Sequence, residues 1–160
     1  MNEATAIFEE LGFALKDIQL PEGAVVYALA RTHHLVMQKL AKVYTRFGLS
    51  VISFNLLVLL QRGKEPGSFT QRTIGKRLVV SPSDMTGLID RLEKRGLVRR
   101  IPGKDRRSKL LQITPKGSKL VDEVWPHHAV AIKRLADAFS AHEAQVMART
   151  MARVRQLITA

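Results

Sequence analysis

Between Thr70 and Leu120 stand 14 Lys and Arg against the acids Asp84, Asp90, Glu93 and Asp105, a net charge of +10 in a chain whose total is +12. The chemistry such a segment can do is electrostatic. A charge confined to one third of a chain marks a face for a polyanion rather than general solubility. Two parts of the segment differ in kind. Arg72 and Lys76 precede a run of small polar residues, Ser81, Ser83 and Thr86, which continues through Gly87, Asp90, Arg91 and Lys94. Set along one helix face, these side chains can hydrogen-bond to base edges in a major groove. Lys104, Asp105, Arg106 and Arg107 crowd a short turn, and arginines on a thin loop suit a narrow minor groove.

Other chemistries find little support. The chain has no Cys, which removes disulfides, zinc–thiolate sites and thiol switches. His33–His34 and His127–His128 are adjacent pairs and His142 stands alone. Neighbours on a helix point about 100° apart, so each pair offers a metal one ligand, and no metal site is expected. Trp125-Pro126-His127-His128 reads as core and kink. No nucleophile–base pairing, paired catalytic acids or Gly-rich phosphate loop is present, so neither an enzyme nor a cofactor is expected.

The positioning elements follow from apolar spacing and caps. Ile7, Phe8, Leu11, Leu15 and Ile18 give a short helix over Ala6–Ile18, which Pro21-Glu22-Gly23 interrupts. A longer helix runs from Ala24 to Phe47 and stops at Gly48. Ser50 caps the next, through Ile52, Phe54, Leu57 and Leu60. Arg62–Ser68 reads as a loop. Thr70 caps a short helix ending near Leu78. Ser81, Pro82 and Asp84 open another on cap-and-proline logic, with Met85, Leu88, Ile89 and Leu92 on its inner side and Gly96 at its end. Val98–Ile101 and Leu110–Ile113 are strands around the turn Pro102–Ser108. Thr114-Pro115 starts a helix with Val121 and Val124 inside and a kink at Pro126. Ser140 to Glu143 is a capping box for the last helix, with Val146, Met151, Val154 and Ile158 apolar.

Helix, turn, helix and basic hairpin make a winged helix-turn-helix. The fold expected is mainly α with a small β-hairpin wing, flanked by N- and C-terminal dimerisation helices: 1–48 and 115–160 for dimerisation, 49–114 for DNA binding. The plainer reading, a packing unit with a solvated charged face, leaves the local concentration of charge unexplained. Asp84 has two readings: acceptor from a cytosine amine, or partner of its own helix N-terminus.

The segment resembles the MarR (multiple antibiotic resistance regulator) family of winged-helix transcription factors, over roughly Leu49 to Glu143. The carriers are Leu49-Ser50-x-x-x-Phe54, Thr70-Gln71, Leu92-Glu93-Lys94-Arg95-Gly96-Leu97-Val98, and Asp105-Arg106-Arg107 followed by Leu111-x-Ile113-Thr114-x-x-Gly117, closed by Ser140-x-x-Glu143. Gly75 and Gly87 depart from it. The former replaces the family's usual alanine; the latter stands where relatives often carry a side chain that reaches DNA.

The resemblance implies a recognition helix in the major groove and a wing arginine, Arg106 or Arg107, held by Asp105 in the minor groove. It implies a homodimer joined by the terminal helices. It also implies a small aromatic or anionic effector between those helices and the winged unit, at His33, Met37, Phe47, Phe54 and Leu57, although all five also read as core. The function expected is a sequence-specific transcriptional regulator, a ligand-responsive repressor on a pseudo-palindromic operator. The alternative is an architectural, nucleoid-type protein with little sequence preference. A helix start rich in Ser and Thr argues against it, because non-specific binding needs only cations. With no signal sequence and no membrane span, a cytoplasmic protein is expected.

Overall fold

Gly48 ends the first long helix in the left-handed region, at φ 66°, a conformation that costs a residue with a Cβ about 1–2 kcal/mol. That helix, α1 (Ala24–Tyr44), tightens into a 3-10 turn over Thr45–Phe47 before the glycine turns the chain. The computed structural model describes residues 6, 10, 12, 23–63, 68–103 and 109–159. The helix expected over Ala6–Ile18 and the wing tip with Lys104, Asp105, Arg106 and Arg107 lie outside the described residues.

Hydroxyl caps set the remaining helix starts, each accepting the N–H three residues on. Ser50 opens α2 (Val51–Arg62). Thr70 opens α3 (Gln71–Leu78), and Ser81 opens α4 (Pro82–Lys94) with proline in its first turn. Thr114 opens α5 (Pro115–Ala136), which continues through Pro126. Ser140 begins α6 (Ala141–Thr159), where the Ser140 N–H also donates to Glu143 Oε2 at 2.8 Å, completing the capping box.

The sheet has one strand more than the two expected. Ser68–Thr70, read from the sequence as loop and cap, is β1. It pairs antiparallel with β3 (Lys109–Ile113), which pairs in turn with β2 (Val98–Pro102), giving the order β1-β3-β2. Phe69 lies opposite Leu111 and Val98 opposite Ile113. The wing is therefore anchored in the strand that feeds α3.

The core sits where the end of α1, α2, α3, α4, the sheet and the first half of α5 meet. Tyr44, Phe54, Leu57, Ile74, Met85, Ile89, Leu92, Leu97 and Val121 are buried there. Gly117 shows how close the packing is. A Cβ there would stand 2.1 Å from the Leu97 carbonyl oxygen, so only glycine lets the first turn of α5 press on the start of the wing. By contrast α6 buries no residue, and α1 buries only Ala24, Leu40 and Tyr44. Val26, Leu35, Val146, Met147, Leu157 and Ile158 are exposed on these two helices. No single helix among the described residues is long and apolar enough to cross a membrane.

Candidate nucleic-acid interface

The first two turns of α4 owe their shape to Ser81. Its hydroxyl accepts the Asp84 N–H at 3.2 Å and donates to Asp84 Oδ2 at 2.6 Å. Asp84 is thus engaged at its own helix start. Ser83 and Thr86 stand exposed beside it. The Thr86 hydroxyl donates to the Pro82 carbonyl at 3.0 Å and accepts from Gln71 Nε2 of α3 at 2.6 Å. The hydroxyl is thus held in place, with one acceptor lone pair still free for a base edge. Gln71, absent from the sequence-predicted set, orients it. The partners are 15 residues apart, so no local spacing signals the bond.

The Arg91 side chain lies alongside Gly87. A Cβ on Gly87 would lie 3.4 Å from Arg91 Nη1, so the guanidinium reaches back along α4 toward the helix start, the direction helical side chains lean. Lys94 is exposed one turn on. On α3, Arg72 and Lys76 are exposed at i, i+4 and border a groove of about 830 Å³ between α3 and the start of α4, floored by Val80, Pro82 and Met85. Val79 closes α3 in the left-handed region at φ 54° and is 92% exposed.

Asp90 is brought to the wing. Its Oδ1 accepts from Arg100 Nη2 at 2.6 Å, and Glu93 takes both the Arg100 backbone N–H, at 3.1 Å, and Nη1. The hydrogen bond to Asp90, with the nearby Glu93 charge, raises the Arg100 pKa above its ordinary value. Two carboxylates at i, i+3 on one helix and an arginine on β2 thus lock the wing to α4. The carboxylate spacing is visible in the sequence; the cation that meets it is not. Arg99 bonds its cross-strand partner Gln112 at 2.7 and 2.9 Å. Among the described residues, Ser83, Thr86, Gly87, Arg91 and Lys94 share α4 with its cap Ser81, and Arg72 and Lys76 stand on the neighbouring α3.

The five residues considered for an effector are not gathered in one place. Phe54 and Leu57 are 1% and 0% exposed in the core, and Phe54 stacks on Tyr44 at 4.5 Å. His33 is exposed and Met37 half-buried on α1. Phe47 meets the ring of His127 at 5.4 Å. His127 lines a groove of about 330 Å³ between α1 and α5, where Lys39, Arg46 and Arg134 surround Val43 and Val130. His128 lies deeper, with Nδ1 2.7 Å from the Tyr44 hydroxyl. Burial lowers the His128 pKa and raises that of Tyr44. No group of three or more His, Asp or Glu occurs among the described residues in a geometry that could hold a metal.

A family model described as MarR family matches residues 47–108. The chain is 30% identical over 141 residues to the HTH-type transcriptional regulator PecS of Dickeya dadantii (strain 3937), an alignment covering 88% of this chain and 85% of PecS. The crystal structure of CouR from Rhodococcus jostii RHA1 bound to p-coumaroyl-CoA is similar with a TM-score of 0.74 at 28% identity, covering 86% of this chain and 95% of that one. The transcriptional repressor CouR bound to a 23-mer DNA duplex shares the fold, with a TM-score of 0.73 at 23% identity over 92% of this chain and 96% of CouR.

Proposed function

The chain belongs to the MarR family of DNA-binding transcriptional regulators, and from that premise we propose that it is a cytoplasmic repressor that grips a pseudo-palindromic operator as a homodimer and releases it when a small aromatic or anionic molecule binds. The observation that carries the reading is the start of α4. Small polar side chains with fixed partners, Ser81, Ser83 and Thr86, stand near a guanidinium, that of Arg91, which reaches back past Gly87 toward them. A protein that needed only cations would not orient hydroxyls there. Arg72, Lys76 and Lys94 are then phosphate partners, and Lys104, Arg106 and Arg107 with Asp105 form the minor-groove contact.

The homodimer is supported by α6. A helix of 19 residues with nothing buried gains little from its own chain, and most helical stability comes from packing. A second copy covering α1 and α6 supplies that packing, and sedimentation should find a dimer. For the effector, we propose the groove between α1 and α5. CouR binds p-coumaroyl-CoA, an aromatic anion. Here Lys39, Arg46 and Arg134 would neutralise an acid while Val43 and Val130 hold its ring.

Selection of bound sequences from random duplex DNA tests the reading. The expected result is one two-fold motif with half-sites about 10 bp apart; enrichment without a motif would establish an architectural protein instead. Phenolic and benzoic acids, screened by thermal shift and titrated with and without the selected duplex, test the switch. An effector's affinity must fall on DNA by the same factor that it lowers DNA affinity.

A further inference from the structure

Arg95 is one of the 14 cations between Thr70 and Leu120, yet its guanidinium is bonded at the far end of α4. It is the C-cap of that 13-residue helix, about 20 Å from Ser81 at 1.5 Å per residue. Nη1 donates to the carbonyl oxygen of Gly48, and Nη2 to that of Phe47 at 3.3 Å. These carbonyls close α1 and its 3-10 turn, where the peptide dipoles leave negative charge that a cation satisfies. Gly48 keeps the seat open: a Cβ there would stand 3.2 Å from Arg95 Nη2. On the opposite side, the Arg95 carbonyl accepts from Lys116 Nζ in the first turn of α5 at 2.8 Å, and the Gly96 carbonyl accepts from the Thr114 hydroxyl at 2.7 Å. The end of α4 is therefore tied both to the end of α1 and to the start of α5.

We propose that Arg95 is a positioning residue that holds α4 at one pitch against α1, and so sets the separation of the two recognition helices in the dimer. The inference rests on the homodimer reading above. A planar fork that meets two carbonyls fixes both direction and distance, which a lysine ammonium does not. The lever arm is long. A pivot of about 10° at the tied end moves the start of a 20 Å helix by roughly 3.5 Å, one base-pair step. Loss of the tie should blur the spacing the dimer accepts while leaving each reading head intact.

The test uses the full chain and three duplexes: the selected two-half-site sequence, the same with one half-site scrambled, and the same with its spacer changed by one base pair. Wild type should prefer the selected spacing by about tenfold or more. Arg95→Gln should bind the single half-site within about twofold of wild type, lose about tenfold on the selected duplex, and lose most of its spacing preference. Arg95→Lys should fall between them, and it carries the test if circular dichroism shows Arg95→Gln unfolded. Unchanged spacing preference in a folded variant would overturn the proposal. Equal loss on half-site and full duplexes would overturn it too, by making Arg95 a DNA contact. A wild-type protein with no spacing preference would instead defeat the homodimer reading on which the inference stands.

Discussion

The Arg91 guanidinium lies over Gly87, with Nη1 3.4 Å from where a Cβ on residue 87 would be. Glycine inside a helix costs about 0.5–1 kcal/mol relative to alanine, and here a side chain larger than a methyl would occupy the path that Arg91 takes toward the helix start. Gly87→Leu should therefore raise stability slightly while weakening operator binding. Arg91→Ala should cost ~1–3 kcal/mol of binding and relax preference at one base position. In a double-mutant cycle on the selected duplex, the pair together should lose little more than Arg91→Ala alone. Additive losses would mean that Gly87 serves something other than Arg91.

The Asp90–Arg100–Glu93 cluster should hold the wing to α4. Bonds to charged groups contribute ~1.5–3 kcal/mol, reduced here because Arg100 is partly solvated. Arg100→Gln should lower unfolding stability by ~1–2 kcal/mol in urea, since it also leaves two carboxylates facing each other. Asp90→Asn keeps an acceptor and should lose less. Equal stability of Arg100→Gln and wild type would reduce the cluster to a solvated ion pair.

Two glycines should respond differently to alanine, one with a large loss and the other with little change. At Gly117 the added carbon meets the Leu97 carbonyl oxygen at 2.1 Å and Ile113 Cγ1 at 2.9 Å, and overpacking of this kind costs ~3 kcal/mol. The melting temperature of Gly117→Ala should fall by roughly 6–12 °C. At Gly75 the carbon meets only the Val80 carbonyl oxygen at 3.3 Å, and the gain in helix propensity, up to ~1 kcal/mol, should offset that contact. Thermal unfolding of the two variants checks both expectations.

Val79 is β-branched in the left-handed region, where side chains cost ~1–2 kcal/mol, and its exposure means that replacement loses no packing. Val79→Asn should raise stability by about 1 kcal/mol in urea unfolding. No gain would mean that the turn pays no strain for its valine.

His128 makes stability pH-dependent in one direction. Burial lowers its pKa in the folded chain, so the unfolded chain binds the proton more readily. Nothing is lost while both states are neutral. As pH falls through the ordinary histidine value of about 6.5, stability should fall, levelling off below the folded-state pKa. His128→Asn should show a smaller drop in urea midpoint between pH 7.5 and 5.5 than wild type. An identical drop would place the acid sensitivity elsewhere.

What the sequence discloses divides by range. Ser50, Thr70, Ser81, Thr114 and Ser140 are legible as caps because a cap is settled within four residues. The apolar faces of α2 and α4 are legible from period alone. Strand β1 is not, because three residues have no period and its partner lies forty or more residues on. Asp90 reads as an exposed acid because its arginine arrives across the turn between α4 and β2. Phe54 and Leu57 mark an apolar face correctly, but periodicity cannot distinguish a face that lines a cavity from one filled by Tyr44 and His128.

Thr70 is both the last residue of β1 and the cap of α3, so sheet register and helix rotation are one variable. Slipping β1 by a single residue against Leu110–Gln112 would turn α3 by about 100° about its axis. Ile74 would leave the core, and Arg72 and Lys76 would swing off the surface they share with α4. Deletions or insertions within 68–70 should thus behave as rotations of a distant basic face rather than as trims of a loop.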